Sequence, residues 1–279
     1  MRAGTIPGTM TAEPSAAGTP GGSSGPSSEA GLSAKQREEL AALNCTVSHN
    51  MHGRYCVPLS SRHRPAARKI LAHEVHEPRT IAYITSHCDD GDVVHAGTYF
   101  GDFLPALSKG VAPGARVWAF EPNPENHRCA RMTLELNGIT NTTLTNTGLG
   151  SRQDSRLLRT SDAEGLALGG ASRIIARESG ETAGAEVVRM VTVDEVVGPA
   201  RKVSILHLDV EGHEQEALSG ALNTIRRCRP VLILEVLPGS TLIGGDWFTD
   251  NVLCLGYAKT TDVHRNSVFS CKARDGGNS

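Results

Sequence analysis

Short apolar runs alternate with longer amphipathic segments along most of this 279-residue chain. The runs with the length of buried strands lie at residues 93–96, 116–120, 142–149, 187–193, 203–210 and 231–236. Segments with a helical spacing of apolar residues lie between them, at residues 103–109, 123–138, 194–197, 214–228 and 246–255. Strands that alternate with helices are typical of a parallel, doubly wound sheet with helices on both faces. The pattern therefore predicts an α/β domain.

The segment before this core has weaker periodicity. Residues 33–42 begin with a serine that can cap a helix, and residues 54–58 resemble a short strand. Pro65 starts a predicted helix that runs to about residue 75, and Pro78 starts another that runs to residue 88, because proline suits the first turn of a helix. We expect residues 32–90 to form a helical extension that covers a ligand cleft of the core.

The two ends of the chain have their own patterns. Residues 257–260 and 267–272 predict an antiparallel hairpin, which would make the sheet mixed. Residues 1–31 are dominated by Gly, Ser, Pro, Ala and Thr, a composition that predicts a disordered tail because it buries too little apolar surface. We therefore place the core domain at residues 91–275.

One internal segment, residues 151–185, is polar and rich in glycine. Such a segment is more typical of an excursion over the active face of a domain than of a core element. We expect it to shape a ligand pocket.

Composition excludes several classes of function. The net charge is −2 and aromatic residues make up 4% of the chain, so there is neither a basic stripe nor a set of stacking platforms for nucleic acid. No apolar run reaches the ~20 residues that span a bilayer, and the N-terminus lacks the apolar region of a secretion signal. We expect a soluble, cytoplasmic protein without a membrane partner.

The seven cysteines form no CxxC pair and have no regular spacing. Their spacing therefore indicates neither a zinc site nor a disulfide framework, and we expect free thiols in a reducing compartment. Several His residues lie three positions apart near the N-terminus, but no third ligand is apparent nearby, and we expect no metal site there.

The first candidate for chemistry is a glycine-bounded turn. The strand at 93–96 runs into Gly97 and Gly101, where the missing Cβ lets the backbone approach a ligand. Glu121 ends the second core strand, which is where many sheets of this kind hold a ribose diol. Together these two features predict a nucleotide-type cofactor site.

The order of these motifs resembles the FkbM-type family of S-adenosylmethionine-dependent methyltransferases. The resemblance covers residues 77–272 and rests on VVHAGTYFG, AFEPNPEN, a helix ending in LNG, GLG, VTVDEVV, LHLDVEGHEQEALSGA and PVLILEV. It implies the class I methyltransferase fold, which has a seven-stranded sheet whose last two strands form a hairpin. Members of the family commonly methylate hydroxyl groups of small molecules or sugars, so the resemblance implies S-adenosyl-L-methionine as cofactor and a small-molecule acceptor.

The resemblance also implies roles for residues near the ends of the strands. Glu121 would accept hydrogen bonds from the ribose, and Tyr99 or Phe100 would either face the sulfonium or pack against the next helix. His213 is our first candidate for a base, with Asp209 and Glu211 orienting it or holding the substrate. The expected cofactor-binding residues are His95, Gly97, Thr98, Tyr99, Phe100, Gly101, Glu121, Asn123 and Asp209. The expected catalytic residues are His213, Glu211 and Asp209.

Two positions depart from the family pattern. The family usually has Asp where this chain has His95, and usually Lys where it has His207. Their strands are neighbours in the implied fold, so both replacements fall in one region beneath the cofactor. They are interpreted either as a relocated polar or acid–base contact or as a compensating structural pair.

Two alternative functions stay open at this point. A non-catalytic binding module of the same fold is one, and an NAD-dependent oxidoreductase is another, although Gly97 and Gly101 lack the middle glycine of GxGxxG. Some related sugar methyltransferases use Mg²⁺, which Asp209 and nearby carboxylates would support, but the sequence does not indicate it. A homo-oligomer is compatible with the sequence.

Overall fold

The computed structural model describes residues 31–176 and 183–271. The tail predicted at residues 1–31 lies outside the described residues except for Gly31, as does the end of the predicted core domain beyond residue 271. The helices described are α1 (Ala34–Ala42), α2 (Pro65–Leu71), α3 (Pro78–His87), α4 (Leu104–Gly110), α5 (Pro124–Leu136), α6 (Val193–Val197), α7 (Glu214–Ser219), α8 (Leu222–Cys228) and α9 (Asp246–Asn251). The strands are β1 (Cys45–Asn50), β2 (Gly53–Pro58), β3 (Asp92–Ala96), β4 (Val117–Phe120), β5 (Thr142–Thr145), β6 (Gly148–Leu149), β7 (Asp154–Arg159), β8 (Arg173–Ile175), β9 (Ala185–Val191), β10 (Val203–Leu208), β11 (Val231–Glu235), β12 (Tyr257–Val263) and β13 (Asn266–Cys271).

The central sheet of the described residues has seven strands in the order β12-β13-β11-β10-β3-β4-β5. Strands β11, β10, β3, β4 and β5 are parallel, and β13 of the terminal hairpin pairs antiparallel with both β11 and β12. The predicted mixed, doubly wound sheet is confirmed. Because all the parallel strands end at the same edge, the residues that follow β3, β4, β10 and β11 meet there.

Both faces of this sheet are covered by apolar side chains. One cluster holds Val94 and Leu206 with the residues of α7, α8 and α9, and the other holds Val93 and Ile205 with the residues of α3 and α4. Alternation along a strand therefore points His95, like Val93, toward α3 and α4.

The segment before the core contains a hairpin that the sequence only half predicted. Strand β1 pairs antiparallel with the predicted strand β2, so the extension is not helical throughout. Helix α1 starts as expected, at a capping box in which Ser33 and Gln36 each bond the backbone of the other. Helix α2 ends at Leu71, earlier than predicted.

The predicted strand at 142–149 is wrong as a single element, because the chain leaves the central sheet after β5. The Asn146 amide donates to the carbonyl oxygens of Glu121 (2.8 Å) and Pro122 (3.1 Å), which fixes the bend. Beyond it, β6 joins a second sheet of the described residues with the order β6-β9-β7-β8.

This second sheet also contains part of the segment 151–185, which we expected to lack core elements. That expectation was wrong, since β7 pairs with both β8 and β9 and the sheet has a small apolar cluster of its own. The cluster consists of Leu158, Val188 and Met190 with Ile174 packed against it. Isolated apolar pairs such as Leu157-Leu158 were the only local signal for these strands.

The helix predicted at 214–228 is two helices, α7 and α8. The break comes at Gly220, where a Cβ would lie 2.0 Å from the carbonyl oxygen of Gly150. The carbonyl of Gly220 accepts from the backbone N–H of Asp194 at 3.0 Å instead of continuing a helix. Close backbone contact with another loop therefore overrides the amphipathic pattern. Similarly, the helix predicted at 246–255 is α9 followed by a short 3₁₀ turn.

No helix among residues 31–176 and 183–271 combines the length and the apolar content that crossing a bilayer requires.

Candidate cofactor and acceptor site

The turn after β3 has the conformation that its glycines predict. Gly97 and Gly101 have φ values of +85° and +84°, and Tyr99 between them has φ +52°. A Cβ on Gly97 would lie 1.8 Å from the backbone oxygen of Asp209. The turn is therefore held tightly against the end of β10, and only glycine fits at its first position.

The carboxylate of Glu121 ties the end of β4 to this turn. It accepts hydrogen bonds from the backbone N–H groups of Tyr99 (2.7 Å) and Asn123 (2.9 Å) and from the side chain of Asn126 (3.4 Å). Burial raises the pKa of Glu121 to about 7. The structure thus brings together the two motifs that predicted the cofactor site.

A narrow cavity of about 40 Å³ lies beside Glu121. The central sheet contributes one side, and the second sheet contributes the other through Leu149, Leu158 and Met190. The segment that carries Gly169 and Ser172 covers this cavity, held by hydrogen bonds from Asn126 Nδ2 to Gly169 O (3.1 Å) and from Asn123 Nδ2 to Ser172 Oγ (3.2 Å). The part of the segment 151–185 that carries Gly169 and Ser172 therefore lies over this cavity.

A second cavity, of about 1160 Å³, opens on the other side of the turn. Helix α2 and the start of α3 line it, and their role as a cover for a ligand cleft stays a prediction. Six carboxyl groups line it: Glu74, Glu77, Asp102, Asp209, Glu211 and Glu235. Arg64, Arg68, Lys69 and Arg265 lie on its walls.

The carboxyl groups of the wide cavity repel one another. Burial and the neighbouring charges of Glu235 and Glu211 hold the pKa of Asp209 well above its usual range. Burial and Glu235 also raise the pKa of Glu211, and burial with the charge of Glu77 raises that of Asp102 to about 7. Some of these groups are therefore protonated near neutral pH, which lets them donate as well as accept hydrogen bonds.

No cluster of three or more His, Cys, Asp or Glu side chains with the arrangement of a metal site occurs in the described part of the chain. Mg²⁺ is not indicated.

His95 and His207 form one buried pair, as the neighbouring strands imply. They are in register on β3 and β10, and their Nδ1 atoms lie 2.8 Å apart. The ring planes differ by 4° with centroids 5.0 Å apart, so the rings meet edge to edge. Both rings line the wide cavity, and neither Nε2 atom has a hydrogen-bond partner.

The protonation of this pair is constrained. Burial lowers the pKa of both rings, that of His207 to about 4, so both are neutral at pH 7. Since one Nδ1 must donate and the other accept, one ring carries its proton on Nδ1 and the other on Nε2.

The predicted catalytic residues are split between the two cavities. Asp209 lines both, Glu211 lines the wide one, and His213 lines the narrow one. The Nδ1 atom of His213 lies 3.7 Å from Glu216 Oε2, and burial lowers the pKa of His213. The structure therefore places His213 with the predicted cofactor residue Glu121 and not with Glu211.

The remaining predicted cofactor residues mostly support the turn. Thr98 is buried beneath it, and Asn123 caps α5 through its side-chain oxygen. Phe100 is fully buried and packs edge to face on Tyr55, so it does not reach either cavity. Tyr99 lines the wide cavity and its hydroxyl lies 2.5 Å from Ser61 Oγ.

Sequence reasoning missed several residues that line the cavities. Asp102 follows the last glycine of the turn, a position that could have identified it, whereas Glu77 and Arg64 carry no local signal. Gly169 and Gly170 pack against the ring of Tyr99, where a Cβ on Gly170 would lie 3.3 Å from the ring. Tyr99, the partner of these glycines, is far from them in the sequence, so no local sequence pattern indicates this contact.

Comparison with known proteins agrees with this architecture. The model of the methyltransferase FkbM domain matches residues 95–247, more than half of the chain. No match was found among curated proteins.

Several solved structures are similar to the chain. A methyltransferase FkbM from Methylobacillus flagellatus KT is 20% identical with a TM-score of 0.44, and the match covers 65% of this chain and 44% of that one. A SAM-dependent methyltransferase from Aquifex aeolicus is 15% identical with a TM-score of 0.40, over 74% of this chain and 93% of that one. The TYW2 protein of M. jannaschii, solved with AdoMet, is 11% identical with a TM-score of 0.42, over 82% and 87% of the two chains. The match thus spans less than half of the Methylobacillus protein.

Residues 95–247 contain the glycine turn, Glu121 and the strand end at Asp209, so the family match and the observed site coincide. The chain belongs to the FkbM family of S-adenosylmethionine-dependent methyltransferases and has their class I fold.

Proposed function

We propose that this protein transfers a methyl group from S-adenosylmethionine to a hydroxyl group of a small molecule or sugar. The observation that carries the proposal is that the two cavities meet at the ends of β3 and β10, where Gly97, Gly170 and Asp209 line both. A cofactor in the narrow cavity and an acceptor in the wide one would face each other at this junction. In-line displacement needs that arrangement, because the nucleophile, methyl group and leaving atom must be collinear.

The residues of the narrow cavity fit the nucleoside part of this cofactor. Leu149, Leu158 and Met190 offer apolar surface to a flat base, while Glu121 offers acceptor oxygens to ribose hydroxyls. At about 40 Å³ the cavity is smaller than the roughly 300–1,000 Å³ of ordinary ligand pockets, so the covering segment must move to admit a nucleoside. The bound cofactor supplies a methyl group on a sulfonium, an electrophile that needs no further activation.

The chain's own part in the reaction is to hold and orient. The turn at Gly97 would present backbone groups to the cofactor, and Tyr99 would flank the junction of the cavities. Asp209 and Glu211, at the end of β10, would hold the acceptor hydroxyl by hydrogen bonds. As the new O–C bond forms, the hydroxyl proton must leave, and Glu211 in the wide cavity or His213 in the narrow one would receive it.

A polar, hydroxyl-bearing acceptor suits the wide cavity. Its six carboxyl groups offer many acceptor oxygens, and those that are protonated also donate. Arg64, Arg68 and Lys69 on the opposite wall would orient an acceptor with anionic groups. A small acceptor with several hydroxyl groups fits this lining better than an apolar one.

Titration calorimetry tests the cofactor half of this proposal. S-adenosylmethionine and S-adenosylhomocysteine should bind saturably, NAD should not bind, and Glu121→Ala should abolish binding. Glu135→Ala, at the partly exposed end of helix α5, which follows Glu121 in the chain, is the matched control and should bind normally. Loss of binding in both variants, or unchanged binding in Glu121→Ala, would contradict the assignment of Glu121.

A second candidate is a binding module of the same fold without turnover. It is favoured by the neutral pair His95–His207, which stands where the family usually has a charged pair, and by the small volume of the narrow cavity. Formation of S-adenosylhomocysteine in the presence of hydroxyl acceptors separates the two candidates. Binding without any conversion across a broad panel of acceptors would favour the module.

A further inference from the structure

Three cysteines from separate elements converge behind the cofactor turn. Cys45 begins β1, Cys56 lies in β2 and Cys129 lies in α5. The sulfur atoms of Cys56 and Cys45 are 2.8 Å apart, and the thiol of Cys129 hydrogen-bonds both. We call this group the thiol cluster. The spacing in sequence gave no hint of it, because α5 reaches the hairpin only in the folded protein.

The three thiols differ in access to solvent. Cys45 is partly exposed, whereas Cys56 and Cys129 are fully buried among Tyr55, Phe100 and Met132. Cys45 is therefore the member of the cluster that lies nearest to solvent, and the other two lie in the core beside it.

The hydrogen bonds within the cluster assign the charge. The thiols of Cys129 and Cys56 donate to Cys45 and lower its pKa to about 4, while the hydrogen bonds of Cys56 to Cys129 and Cys45, together with burial, raise the pKa of Cys56. The thiolate is the nucleophilic form of cysteine, so the exposed sulfur is also the reactive one. An exposed thiolate beside a buried thiol is the usual arrangement of a redox-sensitive pair.

We propose that the thiol cluster is a peroxide-reactive site in which Cys45 is oxidised first and Cys56 then closes a disulfide between β1 and β2. The Cys45 thiolate attacks hydrogen peroxide, an S–O bond forms as the O–O bond breaks, and hydroxide leaves. The Cys56 sulfur then attacks the sulfenic acid, and water leaves as the S–S bond forms. Overall, two thiols and one peroxide give one disulfide and two waters.

The disulfide would also affect the conformation of the glycine turn after β3. The backbone N–H of Cys56 donates to Thr133 Oγ1 at 3.0 Å, and that hydroxyl donates to the carbonyl of Phe100 at 2.8 Å. A shift of β2 toward β1 therefore acts on Phe100 in the turn. This effect on cofactor binding rests on the proposed function, whereas the oxidation chemistry does not.

Mass spectrometry of the full chain after equimolar hydrogen peroxide tests the proposal. The intact mass should fall by about 2 Da, the two hydrogens lost, without addition of oxygen. Trypsin cuts after Arg54 and so separates Cys45 from Cys56, and the two peptides should be joined before reduction and apart after it. A joined pair of Cys45 and Cys129 would overturn the choice of Cys56, and oxidation at other cysteines first would overturn the site.

Two sets of variants test which cysteine is oxidised first and which one closes the disulfide. Cys45→Ser and Cys45→Ala should both prevent the mass loss. Cys254→Ser removes an exposed cysteine in the turn that follows α9, and the mass loss should still occur in this control. In Cys56→Ser the sulfenic acid should persist at Cys45 and be trapped by dimedone. Far-UV circular dichroism of each variant checks the fold. Unchanged mass loss in the Cys45 variants would refute the proposal whether or not the protein binds the cofactor.

Discussion

The contact between His95 and His207 predicts strong energetic coupling between two buried side chains. Each ring has one hydrogen bond, the 2.8 Å contact between the Nδ1 atoms, and each Nε2 is already unpaired. Replacing His207 by Leu leaves the His95 ring without a hydrogen-bond partner, and replacing His95 by Leu leaves the His207 ring with only its weak contact to Asn266. An unsatisfied buried polar group costs about 1–3 kcal/mol, so each single variant should lose about that much free energy of unfolding. Replacing both removes the polar groups together.

The double variant should therefore be no less stable than the worse single variant. The coupling free energy of the His95→Leu and His207→Leu cycle should be about 1–3 kcal/mol. Reversible urea unfolding, followed by circular dichroism, gives the four free energies that the cycle needs. His73→Leu, at an exposed position two residues after the end of α2, provides a control cycle with His95→Leu that should be additive. Additivity within about 0.5 kcal/mol for the pair itself would refute the reasoning.

A second cycle, in which charged residues replace the two histidines, tests the same coupling. His95→Asp or His207→Lys alone would bury a charge beside a neutral ring, at a cost of about 3–5 kcal/mol, whereas both together restore an ion pair. The double swap should recover most of the stability lost by either single swap. No recovery would mean that the surroundings, and not the pair, determine which residues fit.

The pair also predicts a pH dependence with a definite sign. Burial lowers the pKa of His207 to about 4, below the ~6.5 of an unfolded histidine. Between these two pKa values the unfolded chain binds more protons than the folded protein does. The free energy of unfolding therefore rises with pH up to about 6.5 and falls on acidification. The change is at most about 1.4 kcal/mol per pH unit for each such residue. The double Leu variant should lack this slope when urea unfolding is repeated from pH 4 to 7.

Three further predictions follow from the site. Asp102 has its pKa raised to about 7, so its contribution to stability falls as pH rises from about 4 to 7, and Asp102→Asn should remove this fall in urea unfolding measured from pH 4 to 8. If Glu211 takes the hydroxyl proton, Glu211→Gln should lower turnover by a factor of about 10²–10⁴ in steady-state kinetics. His213→Ala should then mainly weaken cofactor affinity. A large loss of turnover in His213→Ala, with little loss in Glu211→Gln, would identify His213 as the base. Gly97→Ala should abolish cofactor binding in calorimetry and destabilise the protein by more than Gly114→Ala, which has nearly the same φ (+86°) but no atom within 4 Å of its Cβ position.

The parts of the fold that were predictable are those encoded in local residues. The turn between Gly97 and Gly101 and the acid Glu121 combine backbone needs and strand ends within short segments, and both appear where expected. The adjacency of His95 and His207 was implied by the family resemblance, because no local pattern relates strands this far apart.

The unpredicted parts depend on contacts between distant segments. The break at Gly220 arises from the carbonyl of Gly150, and the bend after β5 from the side chain of Asn146. The thiol cluster is a third case, since Cys129 lies on helix α5, and the local sequence of α5 does not indicate that it packs against β2. Periodicity identifies which face of an element is buried, but it does not identify the partner.

The segment at Gly169 and Ser172 has a kinetic consequence. It covers the narrow cavity with two hydrogen bonds, and the donors, Asn126 and Asn123, belong to the same group that holds Glu121. If the nucleoside of the cofactor binds in this cavity, as proposed, it enters only in the fraction of molecules whose segment has opened, and the measured affinity equals the intrinsic affinity multiplied by that fraction. If opening is slower than encounter, the observed association rate reaches a plateau at high ligand concentration, and the height of the plateau is the opening rate of the segment.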